Sequence, residues 1–231
     1  MRKTAFVCLL FFSLAACAAQ SPAPVLTGVE PPAEAAPVVQ SVTMTAPMPV
    51  PEEDLAAWYA ARQDGGHLVP AIEIAAFDRA FLRQRLPYPS AEAPGTIIVD
   101  TAARHLYLVE DGGWATRYGI AIGRLGFGWT GTGTIERRLR WPVWTPPRAM
   151  IGRDPSLARW RRGMPGSARN PLGARALYIY FDGADSQYRI HGTNDPMSVG
   201  QAASSGCFRM LNQDVIDLYE RVELGATVIV L

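Results

Sequence analysis

The chain has 231 residues, which is room for one ordinary domain plus an extension or for two small domains. Hydrophobic residues make up 48% and charged residues 19%, so the chain can bury a core and is not disordered throughout. The net charge of +1 offers no general attraction to nucleic acid, which we therefore do not expect as a partner.

The N-terminal segment has the pattern of a secretory signal. Two basic residues precede a short apolar run over residues 5–14, and small residues then lead to Cys17. The run is too short to span a bilayer as a helix, which needs roughly 20 apolar residues. The tetrad Leu-Ala-Ala-Cys ending at Cys17 resembles the lipobox of bacterial lipoproteins. We therefore expect residues 1–16 to be the signal peptide and Cys17 to be lipidated; cleavage near Ala19 without a lipid is the alternative.

Residues 17–54 are predicted to be a flexible linker. Residues 18–54 hold eight of the 19 prolines and no lysine or arginine, a composition that cannot bury enough apolar surface to fold. Residues 55–94 are predicted to be a partly helical segment that packs on the domain. A first helix is expected over 55–62 and a second around the apolar positions Phe77, Phe81 and Leu82.

From residue 95 the hydrophobic period changes to two, which predicts strands. The expected strands cover 96–100, 105–109, 118–122, 176–181, 188–190 and 226–231. Asn212 is predicted as the N-cap of a helix that ends before Gly225. The domain over residues 95–231 is thus expected to be mainly β, with one late α-helix.

A long insertion over residues 134–173 separates the predicted strands. Ten arginines lie between residues 137 and 175, with Asp154 the one acidic residue among them and three tryptophans interleaved. A loop of this length is usually functional or disordered. We interpret it as a surface for a negatively charged polymer outside the membrane, with cell-wall peptide carboxylates as the candidate. A solvated face whose arginine stems cover apolar surface is the alternative.

The chemistry is concentrated between His191 and Arg209. His191 ends a predicted strand, and Cys207 follows Gly206, where a substrate can approach the backbone closely. A free cysteine is only a few per cent thiolate at neutral pH, and a neighbouring imidazole raises that fraction by accepting the proton in an ion pair. Amides of Gly206 and Cys207 are available for an oxyanion. Both residues also have ordinary alternatives, a buried small hydrophobe for Cys207 and a hydrogen-bonded core residue for His191.

The residues His191-Gly192-Thr193, Gly200 and Ser205 to Met210 resemble the signature of the L,D-transpeptidase (YkuD-type) family. The resemblance covers residues 95–231 and extends back towards Val69. It implies a β-sandwich or barrel like the L,D-transpeptidase catalytic domain, with one late helix and the long Arg/Trp-rich insertion. It also implies a cysteine-nucleophile acyltransferase that uses no cofactor and no metal.

The resemblance also implies roles for individual residues. Cys207 would be the nucleophile and His191 the proton donor and acceptor, oriented by the backbone carbonyl of Gly192. Gly206 would supply an oxyanion-binding amide. Substrate contacts would come from Arg209, Ser205 and Thr193.

The implied substrate is a tetrapeptide stem of peptidoglycan. Cys207 would attack the carbonyl of the third residue, a diamino acid, release D-alanine and transfer the acyl group to an amine of a second stem. Related members instead attach an outer-membrane protein or hydrolyse such bonds, and the family is acylated by carbapenems. A peptidoglycan-binding lipoprotein without activity is a further alternative. The expected location is the periplasm or cell envelope, with a lipid anchor in a membrane.

Two positions depart from the family pattern. Many members have histidine where this chain has Ser205, and Gly131 stands where a Thr-Pro-x-Gly turn commonly has proline. The other histidines, His67 and His105, form no zinc-ligand spacing with His191, so both are expected to be structural or exposed.

Overall fold

The computed structural model describes residues 51–123, 129–204 and 206–231, without the side chains of residues 203 and 204. The predicted signal peptide, Cys17, most of the predicted linker and Ser205 lie outside these residues. Within the described ranges, no helix combines the length and apolar character needed to cross a bilayer.

The described residues form 13 strands. In chain order they are β1 (Arg62–Asp64), β2 (His67–Val69), β3 (Gln84–Pro87), β4 (Ile97–Asp100), β5 (His105–Glu110), β6 (Trp114–Gly119), β7 (Ile122–Gly123), β8 (Gly131–Arg140), β9 (Arg175–Phe181), β10 (Ala184–His191), β11 (Ala202–Ser204), β12 (Phe208–Arg209) and β13 (Thr227–Val230). Nine of them make one mixed sheet in the order β12-β10-β9-β8-β13-β4-β5-β6-β3. β1 pairs with β2, and β7 with β11, in two smaller sheets. The prediction of a mainly β fold is therefore confirmed.

The described residues contain three α-helices: α1 (Glu52–Trp58), α2 (Arg148–Arg153) and α3 (Asn212–Arg221). Short 3₁₀ segments occur at Ile74–Ala76, Arg79–Phe81, Pro155–Trp160 and Pro196–Ser198. Within residues 95–231 one late helix was predicted, and α2 is additional; its six residues are too few for a clear helical period in the sequence.

The core lies between the large sheet and α3. The apolar positions predicted for this helix are buried, among them Val215, Leu218 and Val222, which pack with sheet residues such as Leu177. Each such side chain contributes about 2 kcal/mol through removal of apolar surface from water. The helix ends at Arg221, and the chain turns at Gly225, whose φ of +84° suits glycine, before β13 begins at Thr227.

Helix α1 begins three residues before the predicted helix and ends four residues earlier, at Trp58 instead of residue 62. Its first turn is acidic, with Glu52, Glu53 and Asp54, and negative charge stabilises the N-terminal end of a helix dipole. Leu55 and Tyr59 are each 1% exposed and belong to one cluster with Leu82. The acidic residues assigned to the end of the linker are thus the first turn of a docked helix.

The predicted helix around Phe77, Phe81 and Leu82 is wrong. The Asp78 carboxylate accepts a hydrogen bond from the Ala80 amide and closes a single 3₁₀ turn. The chain then extends into β3, which pairs with β6. The apolar spacing arose because these side chains pack against α1, and not from helical geometry.

The predicted insertion starts too early, because β8 continues through Arg140. Charged side chains follow one another along the second half of β8, so the alternation of apolar and polar residues that indicates a strand is not visible in the sequence. The guanidinium of Arg137 lies 5.0 Å from the ring centre of Tyr178, and that of Arg138 lies 4.9 Å from Tyr219. The arginine side chains therefore cover aromatic surface of β9 and α3, as the alternative interpretation expected for part of this segment.

Candidate active site

The parallel pairing of β10 with β12 brings the segments that carry the predicted reactive residues alongside each other. Ile190 lies opposite Phe208 and His191 opposite Arg209. Ile190 and Phe208 are buried in the core cluster, so His191 and Arg209, the next residues on their strands, project from the other face of the sheet. Cys207 directly precedes Phe208, the first residue of β12. The charges of Arg189 and Arg209 act on the pKa of both His191 and Cys207, so the two reactive groups lie near the same two guanidiniums.

His191 is held by the backbone at both ends. Its ring is 5% exposed, and Nδ1 lies 2.6 Å from the carbonyl oxygen of Gly192. A carbonyl can only accept, so Nδ1 carries the proton, and Nε2 of the neutral ring is left as the proton acceptor. The main-chain oxygen of His191 accepts a hydrogen bond from the Met210 amide at 2.8 Å. The contact that the resemblance implies for Gly192 is present, and the catalytic roles stay predictions.

The environment of His191 favours the neutral imidazole. Its pKa is lowered to about 4, chiefly by burial and also by the positive charges of Arg209 and Arg189, while the hydrogen bond to Gly192 acts in the opposite direction. At neutral pH the ring is therefore an unprotonated base.

The thiol of Cys207 is neutral as well. Burial raises its pKa, against the opposing effects of a hydrogen bond with the Arg189 backbone and of the charges of Arg189 and Arg209. Sγ lies 3.7 Å from the carbonyl oxygen of Gln187, to which the thiol donates. Burial thus favours the neutral form of both the thiol and the imidazole, and the expected thiolate–imidazolium pair stays a prediction.

A bulge in β10 shapes the surroundings of the thiol. The register with β9 shifts between Asp185 and Arg189, and Gln187 adopts a φ of +66°, which is uncommon for a residue other than glycine. The Ser186 hydroxyl donates to the Ile179 carbonyl, and this contact anchors the bulge. The irregular backbone is what directs the Gln187 carbonyl at Cys207. Bulges are frequent beside active sites because they redirect individual groups.

The other predicted site residues differ in their burial and contacts. Arg209 is half-buried and donates from Nη1 to the Ser198 hydroxyl at 3.0 Å. Gly206 is buried with a φ of +129°, a conformation that requires glycine. Thr193 is 2% exposed and its hydroxyl accepts from the Asp195 amide, which favours a structural role over the predicted substrate contact. Ser205 lies outside the described residues.

Sequence reasoning missed four residues of this region: Gln187, Arg189, Ser198 and Asn212. Arg189 could have been found, because it lies two residues before His191 on the same strand face. Asn212 was assigned as the N-cap of α3, which is wrong: Leu211 occupies that position, and the Asn212 side chain binds the backbone of Ala174 and Thr193 instead. Nothing local in the sequence indicates those partners.

The remaining histidines have structural contacts. His105 Nε2 lies 2.9 Å from the Ala80 carbonyl oxygen, and the His67 ring lies 4.3 Å from Trp141, centre to centre. Across the described part of the chain, no three His, Cys, Asp or Glu residues are grouped closely enough to hold a metal ion.

Solved structures similar to this chain include one from Brucella melitensis described as a probable carnitine operon oxidoreductase. It is 46% identical, with a TM-score of 0.47, and the match covers 69% of this chain and 99% of that one. An L,D-transpeptidase from Mycobacterium smegmatis is 22% identical with a TM-score of 0.43, over 59% of this chain and 58% of that one. Neither overlap is close enough to carry a statement about function.

Sequence relatives are more informative. The probable L,D-transpeptidase YbiS of Escherichia coli K12 is 31% identical over 156 residues, which are 63% of this chain and 47% of that protein. The putative L,D-transpeptidase YqjB of Bacillus subtilis is 44% identical over 66 residues, 28% of this chain and 38% of that protein. The matched part of the chain therefore spans half or less of these relatives' length. The model of the YkuD family, the L,D-transpeptidase catalytic domain, matches residues 94–230, and the chain belongs to that family.

Proposed function

We propose that this protein is a peptidoglycan L,D-transpeptidase in which Cys207 is the nucleophile and His191 moves the proton. The observation that supports the proposal is the β10–β12 register, which sets His191 opposite Arg209, two residues after Cys207. The Nδ1–H of His191 is engaged by Gly192, so the basic Nε2 remains for the thiol. Membership of the family supports an acyltransferase reaction.

The first half-reaction would acylate the enzyme. As Sγ of Cys207 attacks the carbonyl of the third residue of a tetrapeptide stem, His191 Nε2 takes the thiol proton. The C–N bond to the terminal D-alanine breaks, and the same proton passes from Nε2 to the leaving amine. Because burial favours the neutral form of both groups, proton transfer from the thiol to His191 would accompany the attack.

The negative charge that develops on the substrate oxygen would be stabilised by amides at Gly206 and Cys207. One such donor is typically worth about 3 kcal/mol of barrier. The guanidiniums of Arg189 and Arg209 add positive potential, since both already influence the pKa of the thiol. Arg209 is also suited to a substrate carboxylate, because a guanidinium binds carboxylates through paired hydrogen bonds.

The second half-reaction would consume the thioester. An amine of a second stem attacks, loses a proton to His191, and displaces Sγ, which recovers that proton. The product is a cross-link between two third-position residues. Attachment of an outer-membrane protein would use a protein amine as the acceptor, and hydrolysis would use water.

We further propose that the protein works in the periplasm or cell envelope, held to a membrane through a lipid on Cys17. The insertion after β8 suits an anionic cell-wall partner. It carries six exposed arginines, and the carboxylate of its one acidic residue, Asp154, is occupied by Ser156. The exposed arginines are Arg148, Arg153, Arg159, Arg161, Arg162 and Arg169.

The experiment is to incubate the purified protein with disaccharide-tetrapeptide and follow protein and products by mass spectrometry. We expect an acyl-enzyme that contains the stem without D-alanine, and a dimer joined between third-position residues. Cys207→Ala should show neither, and Cys207→Ser, with nearly the same shape, controls for folding. Exposure to a carbapenem should add one adduct to the wild-type protein only.

Each other result has a defined meaning. A tripeptide without dimer would indicate hydrolysis, and a product formed only when an envelope protein is added would indicate protein attachment. If the protein binds sacculi but forms neither an acyl-enzyme nor a carbapenem adduct, the proposed enzymatic activity is contradicted and a peptidoglycan-binding lipoprotein is favoured. Turnover by Cys207→Ala equal to that of the wild-type protein would refute the assigned nucleophile.

A further inference from the structure

Asn212 binds the loop that follows His191, although it belongs to a different element. It is the first residue of α3, and its Oδ1 accepts from the Ala174 amide at 2.9 Å and from the Thr193 amide at 3.2 Å. Its Nδ2 donates to the Thr193 carbonyl at 2.7 Å. Two donors facing the oxygen and one acceptor facing the nitrogen define the orientation of this amide.

The Thr193 amide and the Gly192 carbonyl belong to the same peptide unit. In a trans peptide the N–H and the C=O point in opposite directions. The N–H edge of this unit faces Asn212 Oδ1, and its C=O edge accepts the Nδ1–H of His191 at 2.6 Å. One rigid plane therefore links Asn212 to the imidazole, and a hydrogen bond at one edge polarises the group at the other.

Two glycines make room for this side chain. A Cβ at Gly192 would lie 2.2 Å from Asn212 Oδ1, and a Cβ at Gly173 would lie 2.2 Å from the same atom. The backbone at Gly192 does not have a positive φ, so backbone conformation does not explain why this position is glycine. The glycine next to His191 is needed because the Asn212 amide occupies the space of a side chain.

We propose that Asn212 is a positioning residue for His191. It holds the Gly192–Thr193 peptide plane, this plane holds the Nδ1–H, and Nε2 is thereby kept as the proton acceptor. The consequence for acylation rests on the proposed function, whereas the consequence for the imidazole does not.

The direct test is the tautomer of His191, measured by ¹⁵N NMR of the ring nitrogens at neutral pH. In the wild-type protein Nδ1 should have a pyrrole-type resonance and Nε2 a pyridine-type one. Asn212→Ala should shift both resonances towards the averaged values of a ring that exchanges between tautomers. A wild-type resonance pattern retained in Asn212→Ala would overturn the proposal.

Gln213 offers a matched control on the next position of the same helix. Its buried amide donates to the Pro70 carbonyl at 2.8 Å and to the Tyr59 carbonyl, so its described hydrogen bonds go to residues other than Gly192 and Thr193. Gln213→Ala should lower the unfolding temperature and leave the His191 resonances unchanged. If Gln213→Ala changes the tautomer as much as Asn212→Ala does, the effect is general loosening of α3 and the proposal fails.

The kinetic test uses the rate of acylation by a carbapenem. Asn212→Ala should reduce the maximal rate on the order of 100-fold with little change in the half-saturating concentration, because a misplaced base impairs the chemical step. Gln213→Ala should retain the wild-type rate in the folded fraction. Absence of acylation in the wild-type protein would contradict the proposed function, and the tautomer measurement would still decide the role of Asn212.

A second variant covers the case in which Asn212→Ala does not fold. Asn212→Asp keeps the oxygen that accepts from the Thr193 amide and is expected to retain the Nδ1–H tautomer. Loss of that tautomer in folded Asn212→Asp would show that this acceptor does not orient the ring.

Discussion

Two buried polar clusters of this protein contain similar groups and differ in their balance of charge. The flank cluster consists of Tyr59, Arg83, Asp214 and Asp217, where α1 and β3 meet α3. There Arg83 Nη1 lies 2.5 Å from Asp217 Oδ1, and the Tyr59 hydroxyl donates to the Asp214 carboxylate at 2.9 Å. The site cluster consists of His191, Cys207, Arg189 and Arg209. Its two guanidiniums are the charged groups that shift the pKa of both reactive side chains.

The difference separates stability from reactivity. In the flank cluster, carboxylates face the guanidinium directly, so the arrangement joins elements that are distant in the chain. In the site cluster, both guanidiniums oppose protonation of the imidazole and favour negative charge on the sulfur, while burial keeps the resting thiol neutral. Their potential is thus available for the charge that develops during attack on a substrate.

The largest effect should come from removing the base. His191→Gln should lower the rate of acyl-enzyme formation by about 10²- to 10⁴-fold, the usual contribution of general acid–base catalysis. The rate of the adduct with a carbapenem, followed by intact-protein mass, measures it. His105→Gln is the matched control, because the His105 ring contacts the Ala80 carbonyl and the aromatic rings of Phe81 and Tyr107, away from the candidate site. Equal rates for both variants would remove His191 from the mechanism.

Breaking the flank cluster should affect stability instead. Asp214→Ala removes the buried carboxylate that accepts from the Tyr59 hydroxyl and lies 3.8 Å from Arg83 Nε, and should lower the free energy of unfolding by about 3 kcal/mol. Urea unfolding measures it, with Glu52→Ala as control, because the Glu52–Arg79 contact of 3.9 Å is exposed. Acylation by the folded fraction should be unchanged. A large loss of that activity would show that the two clusters are coupled.

The pH dependence of stability should identify the same carboxyl. Burial raises the pKa of Asp214 to about 7, above its ordinary value of 3.8. The folded state then binds this proton more tightly than the unfolded state does. The stabilisation that the protonated Asp214 gives the folded state is fully present below about pH 4 and is lost as the pH rises towards about 7. Asp214→Asn should therefore flatten the fall in unfolding free energy over this interval. An identical slope in the variant would assign the fall to other groups.

The smallest effect should appear in the pH dependence of acylation at the site cluster. Because the pKa of His191 is lowered to about 4, the imidazole stays basic well below its ordinary range. The second-order rate of acylation should change little between about pH 7 and pH 5, and should decline only as the pH approaches about 4. A decline centred near about pH 6.5 would mean that His191 titrates as an exposed histidine does.

Much of the fold follows from local sequence signals. The strands at β4, β5 and β9 were predictable because their apolar side chains alternate, and α3 because its buried positions recur at helical spacing. The second half of β8 could not be predicted, because a run of arginines is typical of a loop. Their contacts with Tyr178 and Tyr219 exist only in the folded chain. Helix α1 was misplaced for the same kind of reason, since Leu55 and Tyr59 have partners only in the folded chain.

For the site, the sequence by itself determined which residues can react: a single cysteine in the described chain, a histidine at a strand end, and glycines beside both. The tertiary structure alone decided their relation and their charge. The β10–β12 pairing, the approach of Arg189 and Arg209, and the reach of Asn212 to the Gly192–Thr193 peptide join segments that are separate in the chain. A proton's location depends on burial and on nearby charge, and both of these exist only once the chain has folded.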